Sequence, residues 1–588
     1  MQIEIGFRNF RAFQNAEISL RPMNILMGTN GSGKSSVLQL IMMLSQSSSL
    51  IDESSNSAIK INGPLCSFGS VENIFNLKDT RKELVFDFTI SEKIVSDVKD
   101  QVLSYAFKEI QNLIERGIYY LEFLSSRAHD KNFDENVLSL VERSERWSRK
   151  REENYTLKEY KDKCNFYVEV KDLIKKSEEL FGPTENEKIA FRLSRRRIAR
   201  DRKSHYNRYR PRYELHQVSL VDIDISQKLI SEIFNFSGGC RIVYELKVTN
   251  NSAQRSSRIN ISNISFYSHN QLFCSFDGGV INSAIGSKES GDGNPSFFDH
   301  YKSARENLFD LNASIFEVVY QADYDELSVN ILSKWLGGLE SKVRNYFHSR
   351  EVAVVKPLRG YPRRYYDAYG SDLKEEAFEI INVLKHNQEA KEFINNWVGR
   401  FDIEMDASEY EDFLGKIYTR RRVNGVDLNV DLIDSGFGYS QVLPILYKGL
   451  IADKDAIFIV EQPEIHLHPN MQAELADFFI DLYNFKRKEE GGNFTIIIET
   501  HSEYLIKRFA RRIAEKQYKS YDHKSISPGS EEVGLFFIES SSVGDGAGIR
   551  FSEINKFGGI EWPKDFFEAR DEDLKATIKS RMRMLGDE

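Results

Sequence analysis

The sequence predicts an α/β fold with a largely parallel sheet, and three observations lead there. Two unbroken apolar runs, Ala456–Val460 and Phe494–Ile498, have the composition of strands buried on both faces. A helical pattern over Asn470–Asn484 lies between them, so strand, helix and strand alternate as in a crossover unit. A third apolar run, Met23–Met27, leads into Gly28-Thr29-Asn30-Gly31-Ser32-Gly33-Lys34-Ser35, and a helical pattern from Ser36 to Ser45 follows. That stretch fits G-x-x-x-x-G-K-[ST] at every fixed position. Such a loop turns backbone N–H groups onto phosphate oxygens, and the helix N-terminus adds partial positive charge. Lys34 then reaches the terminal phosphates and Ser35 holds magnesium, so the stretch predicts a nucleotide site.

At 588 residues the chain is too long for one core, which predicts a large domain carrying insertions. Its 41% hydrophobic and 29% charged residues are an ordinary globular composition, and no apolar run approaches the roughly 18 to 20 residues that span a bilayer. The start, Met-Gln-Ile-Glu-Ile, has no cationic stretch followed by an apolar one, so the expectation is a cytoplasmic protein without membrane contact. Cys66, Cys164, Cys240 and Cys274 are scattered, which predicts neither a zinc site nor a disulfide framework. A net charge of -9 speaks against a chain that is cationic throughout, and leaves room for a local basic face.

Along the chain, the alternations Ile3/Ile5/Phe7 and Ala16/Ile18/Leu20 predict a strand pair with its turn at Gln14-Asn15. Arg11 lies in the first half of that segment, where an ordinary surface arginine is the simpler reading. Leu84–Ile90 reads as a further strand. Residues 91–235 change to long, charged, helical stretches with breaks expected at Gly117 and Gly182-Pro183. Within them, 188–212 is a dense basic run: Arg192, Arg195, Arg196, Arg197, Arg200, Arg202, Lys203, Arg208, Arg210 and Arg212, interleaved with Tyr206, Tyr209 and Tyr213. Guanidinium groups neutralise phosphates and tyrosine faces stack on unpaired bases. A solvated helix face or a loop has the same composition, and the run stands as either that or a contact for nucleic acid or an acidic partner.

Strand-like alternation returns over 241–275, then a glycine-rich loop (278–296) and a helical block to about Ser349. No heptad pattern is sustained between 91 and 350, which predicts against long coiled-coil arms. Val352–Leu358 reads as a strand, and Arg359–Tyr366 is a second basic and aromatic cluster that fits nucleotide, nucleic acid or acidic neighbours equally. Asp434-Ser435-Gly436-Phe437-Gly438 is a glycine turn opening a helix, a second phosphate-competent helix start. The first buried run ends in Glu461-Gln462-Pro463-Glu464, and carboxylates at such a strand end sit where ligands bind in open α/β sheets. Glu461 there is a candidate for magnesium. His466 and His468 lack further ligands at suitable spacing, so a metal pair is not expected. His501, after the second run, is placed to reach a terminal phosphate.

A phosphate loop, a long insertion, a glycine turn, an acidic strand end and a Thr500-His501-Ser502 strand end, in that order, resemble the ABC-class ATPase head of SMC-like, RecF-like and overcoming-lysogenization-defect proteins. The resemblance covers about residues 1–90 and 350–515. It implies a mixed sheet with flanking helices, and two heads that pair head to tail around two ATP molecules with Mg2+. By resemblance, Asn30, Gly31, Gly33, Lys34, Ser35 and Ser36 hold nucleotide, Arg11 contacts it, Ser435 to Gln441 face the partner's γ-phosphate through Ser435, Gly436 and Gly438, Ser35 and Glu461 serve magnesium, and His501 is the switch histidine. The implied organisation is an N-terminal lobe over 1–90, a helical insertion over 91–240, its continuation over 241–350, a C-terminal lobe over 351–520 and a small α+β C-terminal domain over 531–588.

Two departures stand out. The usual signature serine falls where this chain has Gly436, with Ser435 one position early, so trans contact through backbone N–H groups is the expectation. The usual Asp-Glu-Pro-Glu is here Glu461-Gln462-Pro463-Glu464. A glutamine amide accepts no proton from water, so Glu464 or His501 compensates or turnover is slow. The segment Glu532–Ile554 reads as a hairpin, and with the terminal stretch it resembles ATPases of the PtuA type in Septu and retron anti-phage systems, which pair with an HNH nuclease. The resemblance implies a regulatory ATPase of a defence complex, with DNA or msDNA contact through the basic run; the alternative is a DNA-repair ATPase that clamps DNA. The stretch after Glu515 is shorter than the ~100 residues of a Toprim nuclease domain, so intrinsic nuclease activity is not expected.

Overall fold

The computed structural model describes residues 3–47, 57–128, 130–148, 155–181, 220–251, 256–277, 280–282, 309–310, 319–320, 327–357, 363–367, 375–410, 414–488, 492–517, 527–540, 546–563, 572–573 and 575–581. It divides into two compact units, one of residues 1–53, 59–85 and 345–588 and the other of 54–58 and 86–344. Among the described residues, no helix is long and apolar enough to cross a membrane.

The first unit opens with strands β1 (Ile3–Phe10) and β2 (Phe13–Ser19), an antiparallel hairpin. Its turn is Arg11-Ala12, with Phe10 opposite Phe13, and Gln14 and Asn15 lie inside β2. The expected turn at Gln14-Asn15 is therefore corrected. Asn9 and Arg11 adopt left-handed backbone (φ 58° and 49°), and the Asn9 side-chain amide donates to the carbonyls of Lys82 and Glu83 at 3.2 and 3.3 Å. These bonds outweigh the turn preference of the later pair.

The next elements are β3 (Met23–Gly28) and α1 (Lys34–Ser47). After the excursion into the second unit come β4 (Val352–Val355), β5 (Tyr366–Asp367), α2 (Glu375–His386), α3 (Gln388–Val398), β6 (Glu404–Tyr410), β7 (Leu414–Val423), β8 (Val426–Asp431) and α4 (Phe437–Ile451). The chain then runs through β9 (Ile457–Glu461), α5 (Pro469–Arg487), β10 (Thr495–Glu499), α6 (Glu503–Gln517), β11 (Val533–Ser540) and β12 (Ala547–Ser552). The central sheet has the order β4-β9-β10-β3-β11-β12, parallel throughout except for β12. Burial on both faces explains the uninterrupted apolar runs: the interior of β3, β9 and β10 is buried, and their neighbours include Leu475, Phe478, Phe479, Leu505 and Phe509 in one core. A second sheet is antiparallel, with β7 at its centre pairing β5, β6 and β8.

The C-terminal segment does not stand apart as a small domain. β11 pairs in parallel with β3 from Val533↔Met23 to Ile538↔Gly28, and β12 closes the edge. The buried residues Val533, Leu535 and Phe537 belong to the main core, and burying them there is favourable by roughly 1.5–3 kcal/mol per side chain. Ala547, the first residue of β12, donates its N–H to the Ala12 carbonyl at 2.7 Å, so β12 also braces the β1–β2 turn.

Two short ionic and polar devices fix this sheet. Arg350, nearly buried, donates to the carbonyls of Asp455 at 2.6 Å and Asn493 at 2.5 Å and to the Thr495 hydroxyl at 2.7 Å, tying the starts of β9 and β10. Asp477 on α5 receives Arg512 at 2.6 and 2.9 Å and Arg508 at 2.5 Å, which clamps α5 to α6.

The second unit holds helices Glu92–Ala128, Lys131–Ser148, Leu157–Phe181 and Leu220–Asn235, an antiparallel run of strands Cys240–Asn251, Ser256–Ser268, Gln271–Asp277 and Val280–Asn282, and helix Leu327–His348. The first helix runs 37 residues straight through Gly117, so the expected break is absent. A glycine costs a helix about 1 kcal/mol, less than burial of Leu113, Ile114, Ile118 and Leu121 around it returns.

Candidate nucleotide site

The phosphate loop sits where β3 hands over to α1. Lys34 and Ser36 are buried while Asn30, Gly31 and Ser35 are exposed, so the loop turns one edge outward. Gly33 has φ 113°, and a Cβ there would lie 3.0 Å from Ala12 Cβ and from the Phe13 ring. The β1–β2 turn thus packs directly on the last glycine of the loop. Arg11, in that turn, holds its guanidinium 5.3 Å from the Phe68 ring centre, and burial lowers its pKa. The sequence-predicted Arg11 and the loop are therefore neighbours through a contact that no local pattern announces.

Lys34 Nζ donates to the carbonyls of Gly28 at 3.0 Å and Thr29 at 2.8 Å. Burial lowers its pKa, and the carboxylates of Glu499 and Glu464 oppose that effect. Ser35 Oγ lies 3.2 and 3.4 Å from the two carboxylate oxygens of Glu499. Glu499 ends β10 and is the residue that sequence reading passed over. Burial raises its pKa, while Lys34 and the Ser35 hydroxyl pull it down. Its signal was present, a carboxylate closing an otherwise wholly apolar run. What was missing was the strand order, which places β10 between β3 and β9 and makes Glu499 the register partner of Glu461.

The expected acidic end of β9 has a constrained backbone. Gln462 has φ 44° and donates its N–H to the Glu499 carbonyl at 2.7 Å. Glu464 turns back onto the neighbouring strand end: it accepts the Thr500 hydroxyl at 2.8 Å and the His501 N–H at 2.6 Å. Both its oxygens are engaged, so the carboxylate fixes the Thr500-His501 segment. Burial and the Lys34 charge together lower the His501 pKa, with Glu464 opposing. Ser502 Oγ accepts the Leu505 N–H at 3.2 Å and starts α6. His468 Nδ1 accepts the Asn470 N–H at 3.3 Å as the cap of α5. Its place in the sequence is explained by helix capping.

The glycine turn before α4 is arranged differently. Ser435 Oγ lies 2.7 Å from the Asp431 carbonyl, 3.1 Å from the Val430 carbonyl and 2.7 Å from Thr419 Oγ1. The hydroxyl is directed inward, onto this chain's own carbonyls. The cause is β8, which brings two carbonyls within reach just before the turn. Gly436 has φ 103° and sits at the N-cap of α4, and among the described residues a Cβ added there would meet nothing within 4 Å. Gly438 lies 3.4 Å, measured from such a Cβ, from the His466 carbonyl. Arg364, from the second basic and aromatic cluster, pairs with Asp431 and reaches Asp434 at 3.1 Å, and Lys416 reaches Asp431 at 2.6 Å. For Arg364 the acidic neighbours win. The basic-run residues Arg195, Arg196, Arg197, Arg200, Arg202, Lys203, Arg208 and Arg210 lie outside the described residues.

The donor set fits a magnesium nucleotide. Lys34 and the N-terminus of α1 offer charge and N–H groups to phosphate, Ser35 and Glu499 offer hard oxygens, and the buried Ser32 Oγ has no hydrogen-bond partner. These features define a phosphate-loop nucleotide-binding α/β unit. The chain matches the family model described as AAA ATPase domain over residues 1–506, and it belongs to that family. No curated protein matches it. Among solved structures it is similar to the SMC head domain from Thermotoga maritima at 8% identity, covering 94% of this chain and 98% of that one, with a TM-score of 0.29. It is also similar to the Smc head domain with an extended coiled coil bound to the C-terminal domain of ScpA, derived from Pyrococcus furiosus, at 7% identity, 98% coverage of both chains and a TM-score of 0.28.

Proposed function

We propose that the chain binds ATP with Mg2+ at Lys34 and Ser35 as one half of a composite site, completed by the α4 start of a second copy paired head to tail. Arg11, Asn30, Gly31, Gly33 and Ser36 line the cis half, and the backbone N–H groups after Gly436 and Gly438 supply the trans half. The bound ATP acts as a switch. Gln462 cannot take a proton and Glu464 is bonded to the switch segment, so hydrolysis is slow or waits for a trigger. In this reading the protein is the cytoplasmic regulatory subunit of an anti-phage complex, controlling a separate HNH-type nuclease, with the basic run touching DNA or msDNA.

The observation that supports it best is the contrast between a loop whose Lys34 and Ser35 are positioned by Gly28, Thr29 and Glu499 of the same chain and an α4 start that, among the described residues, has nothing packed on Gly436. Sedimentation of the full chain with and without ATP tests it. A dimer that forms with ATP and not with Lys34→Ala is expected; a species unchanged by ATP would overturn the paired site. The regulatory role is tested by phage challenge of cells carrying the gene with its neighbours, where Lys34→Ala should abolish protection. The second reading is a DNA-clamping ATPase, and ATP-dependent retention on circular but not linear DNA would select it.

A further inference from the structure

The sheet order sets the reach of the two acidic strand ends. β10 lies directly beside β3, and β9 lies one strand further away. At about 4.8 Å per strand, Glu499 stands one spacing from the strand that feeds the phosphate loop and Glu461 stands two, roughly 9.6 Å. Glu499 is 3% exposed, and both its oxygens face Ser35 Oγ, at 3.2 and 3.4 Å. Those separations are long for a hydroxyl-to-carboxylate hydrogen bond, which is ordinarily about 2.5–2.7 Å. They are nearer to the ~2.9 Å between neighbouring oxygens of an octahedral magnesium shell with bonds of 2.0–2.1 Å, and leave the two groups free to close on a cation.

Resting on the nucleotide site proposed above, we propose that Glu499, together with Ser35, is the protein carboxylate that takes the nucleotide's divalent cation, and that it thereby ties the metal to the switch segment. Glu499 is followed directly by Thr500 and His501, whose hydroxyl and N–H are both bound by Glu464. A cation held at Glu499 therefore acts on a segment that is already pinned from the other side. Glu461 keeps a supporting place on the next strand.

Mn2+ is the probe. Its affinity for the ATP complex of the full chain is read by electron paramagnetic resonance, and ATP affinity is read separately in EDTA. Glu499→Gln should weaken Mn2+ binding at least tenfold without weakening metal-free ATP binding, since the amide oxygen still accepts from Ser35 and a negative charge beside the phosphates is removed. Glu499→Asp keeps the charge on a shorter arm, should weaken Mn2+ several-fold, and serves if the glutamine variant does not fold. Mn2+ affinity within twofold of wild type in either folded variant would overturn the assignment, as would a full loss produced by Glu461→Gln alone. Wild-type protein that binds no ATP in EDTA or with Mn2+ would instead remove the nucleotide reading beneath it.

Discussion

The starts of α1 and α4 are built on the same local device and end in opposite states. Each follows a glycine in left-handed backbone, Gly33 at φ 113° and Gly436 at φ 103°. Around Gly33 the chain is full: Ala12 and Phe13 press on it, Lys34 is bonded to two loop carbonyls, and Ser35 faces Glu499. Around Gly436 no described atom lies within 4 Å of an added Cβ, and the hydroxyl of the preceding Ser435 is directed inward. A helix N-terminus attracts anions in either place. What differs is whether the molecule itself supplies further groups around the start, and the proposed cis and trans roles rest on that difference.

The largest effect on nucleotide binding should come from removing the cation of the first start. Lys34→Ala is expected to lower ATP affinity by about 100-fold, or roughly 2.7 kcal/mol, measured with a fluorescent ATP analogue. Affinity within threefold of wild type would break the comparison at its root.

Next comes the scaffold under both helices. Asp477, 4% exposed, is the buried carboxylate that α6 grips through Arg508 and Arg512, and Asp477→Ala should cost about 3–5 kcal/mol in denaturant unfolding. Burial alone would raise its pKa, and the hydrogen bonds and charge of Arg512 carry it below 3.8 instead. A depressed carboxylate pKa gives stability that is present above the unfolded value and lost as pH falls through the folded one. Its contribution should therefore fade below about pH 4 in wild type and be absent from the acid limb of the variant. Asp481, raised by burial to about 6, works in the other direction and loses stability as pH rises from about 4 to 6.

Gln462→Glu addresses turnover. Restoring a carboxylate beside the cis loop should raise single-turnover ATP hydrolysis about tenfold, a barrier change of about 1.4 kcal/mol. An unchanged rate would mean that the amide is not what limits it.

Gly436→Arg should leave ATP affinity of the isolated chain unaltered while suppressing ATP-dependent pairing in sedimentation, since the added side chain occupies the open space. If pairing survives, the α4 start is not the trans surface. The smallest effect belongs to Ser435→Ala, expected to reduce stability by about 1 kcal/mol through loss of its inward hydrogen bonding, with pairing retained. Pairing lost at full stability would return the serine to an outward role.

Much of this molecule is set by short-range chemistry. The phosphate loop, the buried strands around Ile459 and Ile497, and the glycine starts of α1 and α4 follow from residue type and spacing, because backbone geometry and burial on both faces leave few alternatives. The turn at Arg11-Ala12 was hidden because bonds from Asn9 to the Lys82 and Glu83 carbonyls decide it. The place of β11 was hidden likewise, since Val533–Ile538 meets Met23–Gly28 from the far end of the chain. The pairing of Ser35 with Glu499, residues 464 positions apart, exists only once β10 is inserted beside β3. Parallel strands are joined by crossovers, so strand order is a property of packing, and no local pattern encodes which carboxylate arrives beside the loop. The sequence by itself determined that a nucleotide loop is present; the tertiary structure decided which acid faces it and which helix start was left open.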